Sequence, residues 1–278
     1  MSMENPFISV VINADTRAGF MEDSSTNLGM FDGCRSLDFL IDGVQNKINF
    51  FDGFDKEVIL FIDEHHPIPE TALKEIRGMV DTLVIRKHSK RFDDRDTFDK
   101  FNDLNYLGAL QLARGEFIAH FDQDAVAFTK SHENVKALIS LLGIYDFVCY
   151  PSASSPKCVT DASFDYQWAS TRFFMCKRER LDFTEIMKCL LDYDYLYETY
   201  PASRKCSWLE HVLGLISKYK GQGVYYPQIH TEEWAVFCWN TYLTGTLRVL
   251  NAMTYENVQK YIERAGGITY NGIDAIKI

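Results

Sequence analysis

Four short apolar runs, Phe7–Asn13, Glu57–Asp63, Asp81–Arg86 and Glu116–Phe121, alternate with segments whose apolar residues recur at helical spacing. Runs of this length, rich in branched side chains and bounded by polar residues or glycine, read as buried strands. Between them, Leu37, Leu40, Ile41, Val44, Ile48 and Phe51 form one amphipathic stripe ending at Gly53. A shorter helix is predicted over Thr71–Met79, with Pro69 and Glu70 at its start, and a third over Asp99–Arg114, stopped by Gly115. The order is β-α-β-α-β-α-β. Successive parallel strands need such crossovers, so the expected fold is α/β: a mostly parallel sheet flanked by helices on both faces. Ligands of these sheets bind beyond the carboxyl ends of the strands, and Asp15, Asp63, Asp122 and Asp124 all fall there.

The chain's charge removes one class of partner. Lys and Arg number 29 and Asp and Glu 39, a net charge of −10, which repels a phosphate backbone and argues against nucleic acid. The cluster Arg86-Lys87-His88-Ser89-Lys90-Arg91 is followed by Asp93, Asp94 and Asp96 and reads as a mixed, solvated segment. The seven cysteines are widely spaced and form no C-x-x-C pair, so the usual zinc and redox patterns are missing. The amino terminus has neither a basic leader nor a long apolar stretch, and no window reaches the roughly 18 apolar residues of a membrane span. These features predict a cytoplasmic chain with reduced thiols. No linker, repeat or low-complexity tract divides residues 1–278, which are read as one domain.

Asp122-Gln123-Asp124 leaves the strand Phe117-Ile118-Ala119-His120-Phe121 with two carboxylates one residue apart. Two such anions repel, and a divalent cation resolves the conflict; oxygen-only ligands favour Mg²⁺ or Mn²⁺. The same pattern also serves as a turn or helix cap.

In this context the residues resemble the GT-A nucleotide-sugar glycosyltransferases, in particular those of family 2. FISVVINADTR is similar to that family's opening strand, EVILFIDEHH to its second strand, and FNDLNYLGALQLARGEFIAHFDQD to its helix, Gly-Glu turn and metal-binding D-x-D. The resemblance runs over roughly residues 6–128. It implies a GT-A, Rossmann-like sheet with a nucleotide-sugar-binding half over 1–128. A smaller acceptor-side half with a C-terminal helical extension follows over 129–278. It further implies that Asp15 and Asp63 hold the nucleoside, with Arg17 in the same loop. Asp122 would contact ribose or metal, and Asp124 would ligate the Mn²⁺ or Mg²⁺ that bridges the donor diphosphate. The implied reaction moves a sugar from a nucleoside-diphosphate sugar to a hydroxyl acceptor, a carbohydrate or glycolipid, with inversion by direct displacement.

The second half carries weaker matches. Ser207-Trp208-Leu209-Glu210-His211 resembles the family's Glu-Asp helix start, with His211 where Asp is common, and makes Glu210 the candidate general base. Glu210 would equally suit the first turn of a helix, where an acid meets the helix dipole. The turn at Gly221-Gln222-Gly223, a short strand and His230 resemble a segment that sometimes ends in a histidine near the metal or pyrophosphate. His120, inside an apolar strand, reads as a core residue. Trp208 and Trp234 flank Glu210 and His230 in sequence and are candidate acceptor contacts, since sugar rings stack on aromatic faces. Thr16–Gly33 is a long connection that suits a lid, and a helix is expected near Tyr255–Ala265. Two other classes share parts of this pattern. A sugar-phosphate nucleotidyltransferase would need a glycine-rich loop where Ala14-Asp15-Thr16-Arg17 stands, and a non-catalytic carbohydrate- or protein-binding module would have no use for the carboxylate pair.

Overall fold

The computed structural model describes residues 6–16, 37–64, 67–87, 95–123, 125–127, 132–149, 166–203, 205–206, 208–226, 236–238, 268–270 and 273–276. Its centre is a seven-stranded sheet. β1 (Ile8–Asp15), β2 (Lys56–Glu64), β3 (Thr82–Lys87) and β4 (Phe117–Asp122) are the four predicted strands. They alternate with α1 (Leu37–Phe50), α2 (Glu70–Arg77) and α3 (Arg95–Gln111). After β4 come β5 (Ala125–Ala127), α4 (His132–Leu141), β6 (Phe147–Cys149) and β7 (Phe173–Lys177). α5 (Phe183–Leu191), α6 (Tyr193–Thr199), α7 (Leu209–Lys220) and β8 (Val224–Tyr225) follow.

The sheet order is β3-β2-β1-β4-β7-β6-β8. β1 pairs in parallel with both β2 and β4, and β2 with β3, while β7 runs antiparallel to its neighbours β4 and β6. A separate two-stranded sheet joins β5 to β9 (Val236–Cys238), and β10 (Ile268–Tyr270) forms a hairpin with β11 (Ile273–Ile276).

The alternation of side chains along each strand divides the core into two layers. Ile8, Val10 and Ile12 of β1 join Val58, Leu60 and Ile62 of β2 against α1, α2 and α4. Val11, Ile59, Phe61 and Ile118 face the other way, against α3, α5, α6 and α7. Every central strand is covered on both sides, which is why its sequence reads as a continuous apolar run.

The amino-terminal end of the sheet is tied by a buried polar cluster. The Ser9 hydroxyl donates to Glu57 Oε1 (2.6 Å) and accepts from the Gly115 amide (2.7 Å). The Arg114 amide and guanidinium add bonds of 2.6 and 2.8 Å to the same carboxylate. Burial opposes the charge of Glu57, yet Ser9 and Arg114 together hold its carboxyl below the ordinary range. Gly115 is required by close approach: a β-carbon there would lie 2.6 Å from the Ser9 nitrogen and 2.9 Å from the Phe7 oxygen. The Gly-Glu turn seen in the sequence is thus a packing device at the end of the sheet away from the candidate site.

Candidate functional site

At the opposite end, β1, β2 and β4 finish side by side. Asp15 is in register with Asp63, and Asn13 with Asp122. The chain builds β2 and β3 on one side of β1 and then returns to place β4 on the other. The carboxyl ends of β1 and β4 therefore flank a topological switch point, where open α/β sheets form their ligand crevice.

Asp122 shares the face of β4 that carries Ile118 and His120, toward α3. Tyr106 of α3 donates its hydroxyl to Asp122 Oδ1 at 2.5 Å, and Arg172 Nη1 lies 3.6 Å from Oδ2. The main chain reinforces this link, because the Asp122 amide donates to the Arg172 carbonyl at 2.9 Å. One residue earlier, the Thr171 amide and hydroxyl both approach Glu210 Oε2, at 3.4 Å each. The two-residue turn before β7 thus stands between the donor-side carboxylate expected from the sequence and the expected base.

Glu210 lies in the first turn of α7, after Trp208 as cap. Its carbonyl accepts from the Ala169 amide at 2.9 Å, which ties the helix start to the same segment. Burial pushes the Glu210 carboxyl up, moderated by the Thr171 hydrogen bonds and the charge of Arg172. Among the described residues no group donates to its Oε1. A carboxylate raised toward neutrality, with one oxygen outside the hydrogen-bond network of its neighbours, is suited to taking a proton.

The remaining strand-end residues are engaged in different ways. Both oxygens of Asp63 accept from the Arg86 guanidinium, at 3.1 and 3.2 Å, so the end of β2 presents an ion pair rather than a lone carboxylate. His120 is buried, stacked on Phe174 with ring centres 5.0 Å apart, and its Nε2 is 3.1 Å from Asn13 Oδ1. Burial pushes its imidazole down to about 3, leaving it neutral as a core histidine beneath the site. Lys47 of α1 is buried and donates to the Gly43 and Gln123 carbonyls at 3.3 and 3.2 Å, holding the turn after Asp122 from behind.

His211, which stands where the resembled family has an acid, is buried. Its Nδ1 is 2.8 Å from the Tyr166 hydroxyl, and its ring packs on Trp168 with centres 4.5 Å apart. It belongs to the core under α7. Trp208 is 50% exposed at the mouth of the same helix. Arg17, Asp124, His230 and Trp234 lie outside the described residues, as do the connection from 17 to 33 and the helix expected near Tyr255–Ala265. Of the predicted site, the structure therefore places Asp15, Asp63 and Asp122 at one end of the sheet and links Asp122 to Glu210 through Arg172 and Thr171. It adds Tyr106, Thr171 and Arg172, which the sequence reading missed. The sequence marks only part of this: Ser170-Thr171-Arg172 is a polar triplet directly before the apolar run Phe173-Phe174-Met175-Cys176, which reads as the start of a strand, and it is the antiparallel pairing of that strand that puts the triplet at the ligand end.

Among the described residues no group of three or more His, Cys, Asp or Glu side chains is placed to hold a metal. Nor is any described helix long and apolar enough to cross a membrane.

No protein-family profile matches the sequence, and no curated relative matches it. Solved structures similar to the chain include a Pyrobaculum calidifontis mannosyltransferase in complex with GDP-Man and Mn²⁺, at 12% identity and TM-score 0.43. That match covers 81% of this chain and 55% of the mannosyltransferase, so the chain spans about half of its length. A cytidylyltransferase from Leptospira borgpetersenii matches over 98% of both chains, at 11% identity and TM-score 0.46. The galactosyltransferase LgtC, in complex with donor and acceptor sugar analogs, matches at 10% identity and TM-score 0.41, over 78% of this chain and 72% of its own. At these identities and TM-scores none of them assigns a role to a residue here.

Proposed function

We propose that this chain is a glycosyltransferase that moves a sugar from a nucleoside-diphosphate sugar to the hydroxyl of a carbohydrate or glycolipid acceptor. The observation that carries this reading is the junction of Asp122, Arg172, Thr171 and Glu210 at the switch point of the sheet. A donor-side carboxylate and a raised carboxyl base are held by one turn, on one side of the strand ends. In the proposed reaction the acceptor oxygen attacks the anomeric carbon while Glu210 takes its proton. The bond from that carbon to the diphosphate oxygen breaks, and its electron pair leaves with the diphosphate. Attack from the face opposite the leaving group inverts the centre.

Asp122 and Asp124 are the residues that would hold a divalent cation. Carboxylate oxygens suit Mg²⁺ or Mn²⁺. Because Tyr106 and Arg172 already engage both oxygens of Asp122, Asp124 is the better direct ligand of the pair. The cation, when bound, offsets the charge of the departing diphosphate. Asp15 and the Asp63–Arg86 pair end β1 and β2 as the nucleoside side of the crevice, with Trp208 on the acceptor side; Arg17 for the nucleoside, His230 for the diphosphate and Trp234 for the acceptor are candidates from the sequence.

The test is a panel of UDP-, GDP-, dTDP- and CMP-linked sugars with Mn²⁺ or EDTA, read by thermal shift and then by transfer to saccharide acceptors. With the donor that binds, Glu210→Gln should lower kcat by about 10²–10⁴-fold and leave donor affinity within about twofold. Because the Glu210 carboxyl is raised and must be ionised to act, wild-type kcat should fall with decreasing pH at a value above the ordinary 4.5. Binding without transfer to any acceptor would favour a binding module. Pyrophosphate release from a nucleoside triphosphate and a sugar phosphate would favour a nucleotidyltransferase. Full activity of Glu210→Gln would place the base elsewhere.

A further inference from the structure

We infer that Arg172 is a catalytic residue that binds the diphosphate of the donor and stabilises it as it leaves. This inference rests on the glycosyltransferase reading and deepens it, since it assigns the leaving-group contact to a side chain of the chain itself. Arg172 ends the turn that enters β7, the antiparallel strand beside β4. The strand's direction matters: its amino-terminal end lies at the carboxyl end of β4, so a residue just before it opens onto the ligand crevice rather than the far side of the sheet.

The guanidinium pairs with one carboxylate of the site and its charge reaches the other. It faces Asp122 Oδ2 at 3.6 Å and acts electrostatically on Glu210, with 31% of its side chain exposed. A separation of 3.6 Å is longer than the roughly 2.7–2.9 Å of a charge-assisted hydrogen bond. Asp122 thus steadies Arg172 mainly through charge, whereas Arg86 reaches both oxygens of Asp63 at 3.1–3.2 Å. A guanidinium carries five N–H donors in a planar fork and can serve two anions from two edges. Its position is further fixed through the main chain, where the Arg172 carbonyl accepts from the Asp122 amide. A substitution of the side chain therefore leaves that anchor in place.

The chemistry requires such a group. Breaking the bond between the anomeric carbon and the diphosphate oxygen puts an added negative charge on that oxygen, in a crevice that already holds the Asp122 carboxylate. A cation fixed before the reaction stabilises that charge without reorganising as it forms. Arg86 is committed to Asp63, and Lys47 is buried behind the Asp122 turn on backbone carbonyls. Arg172 pairs with Asp122, adjoins Thr171 on Glu210, and opens at the ligand end of the sheet.

The experiment compares the full-length wild type with Arg172→Met and Arg172→Lys. Calorimetric titration with UDP, GDP, dTDP and CDP and with the corresponding monophosphates, all in Mn²⁺, identifies the base and measures both affinities. Arg172→Met should weaken the diphosphate by about 10- to 100-fold, the range of a hydrogen bond to a charged group. The monophosphate should stay within about twofold, and kcat should fall with the diphosphate affinity. Arg172→Lys, which keeps the charge and loses the fork, should fall between the two and decides the matter if the methionine variant does not fold. Equal losses for mono- and diphosphate would reduce Arg172 to a support for Asp122 and overturn the inference, as would no loss for either. A wild type that binds none of the eight nucleotides would overturn the glycosyltransferase reading itself, and the inference with it.

Discussion

Gly214 lies one helical turn beyond Glu210 in α7, where the helix presses on the segment that leads to Thr171. A β-carbon at this position would sit 2.6 Å from the Trp168 Cα and 3.1 Å from the Gln167 carbonyl carbon. Ordinary carbon contacts begin at about 3.5 Å, so Gly214→Ala forces backbone from backbone by about 1 Å. Two terms oppose each other. Alanine favours the helix by about 0.8–1 kcal/mol, while overpacking costs about 1–3 kcal/mol. The net loss is about 0–2 kcal/mol, which lowers Tm by at most about 8 °C at roughly 2–4 °C per kcal/mol. The effect on activity is larger. Glu210 is positioned by Ala169 and Thr171, both on the segment from which α7 would be pushed, and a misplacement of about 1 Å can cost about 10²-fold in rate. Thermal melting followed by circular dichroism, paired with initial rates at saturating donor, separates the two effects. A variant with unchanged Tm and full turnover would show that α7 does not approach residues 167–168 as described.

Two further perturbations address other parts of the molecule. Glu57→Gln should cost about 1–3 kcal/mol at neutral pH: the amide oxygen still accepts from the Ser9 hydroxyl and the Arg114 amide but without the charge that strengthens those bonds, and the NH₂ group faces the Arg114 guanidinium, whose ion pair adds little because that side chain is 73% exposed. The folded Glu57 carboxyl lies below its ordinary 4.5, so its contribution is present above that value and is lost as pH falls through the folded one; chemical denaturation against pH should show a flatter acid limb for the variant. Trp208→Ala should raise the acceptor KM by about two- to tenfold, the equivalent of about 0.5–1.5 kcal/mol of aromatic contact. Donor affinity, measured by titration, should not move.

The first half of the fold was legible because each of its strands is long, covered on both faces and separated from the next by a helix. β1 and β2 have eight and nine residues, and their apolar runs stand out from the polar segments around them. The second half was not, for a topological reason. β6 and β8 have three and two residues, and β7 pairs with β4 across more than fifty positions of chain. Such pairing is decided by which edge the growing sheet offers, and periodicity does not encode it. The site divides in the same way. Asp122 could be read from its place after a strand, and Glu210 from a resemblance at a helix start. Arg172 could not be ranked until β7 was known to run antiparallel, because only that direction puts Ser170-Thr171-Arg172 at the ligand end. Tyr106 is one of several aromatic residues on α3, and nothing local marks it as the partner of Asp122. His211 broke the expected motif, and the structure gives the reason: its place is in the core with Tyr166 and Trp168.

The two ends of β4 are held by separate sets of contacts, and this affects how the molecule can be altered. At Phe117 the neighbouring Ser9–Glu57–Arg114 cluster is closed by bonds of 2.6 to 2.8 Å. Near Asp122 the side-chain contacts of Thr171 and Arg172 are 3.4 to 3.6 Å, beside a 2.5 Å bond from Tyr106 and a 2.9 Å main-chain bond to the Arg172 carbonyl. A six-residue strand sets these ends about 17–20 Å apart, well beyond the roughly 7–10 Å over which substitutions interact. Substitutions at the two ends therefore add without modifying one another: changes at the Ser9 end and at the Arg172 end each subtract their own cost from one shared margin against unfolding, so a variant weakened at one end can be rescued by a gain at the other.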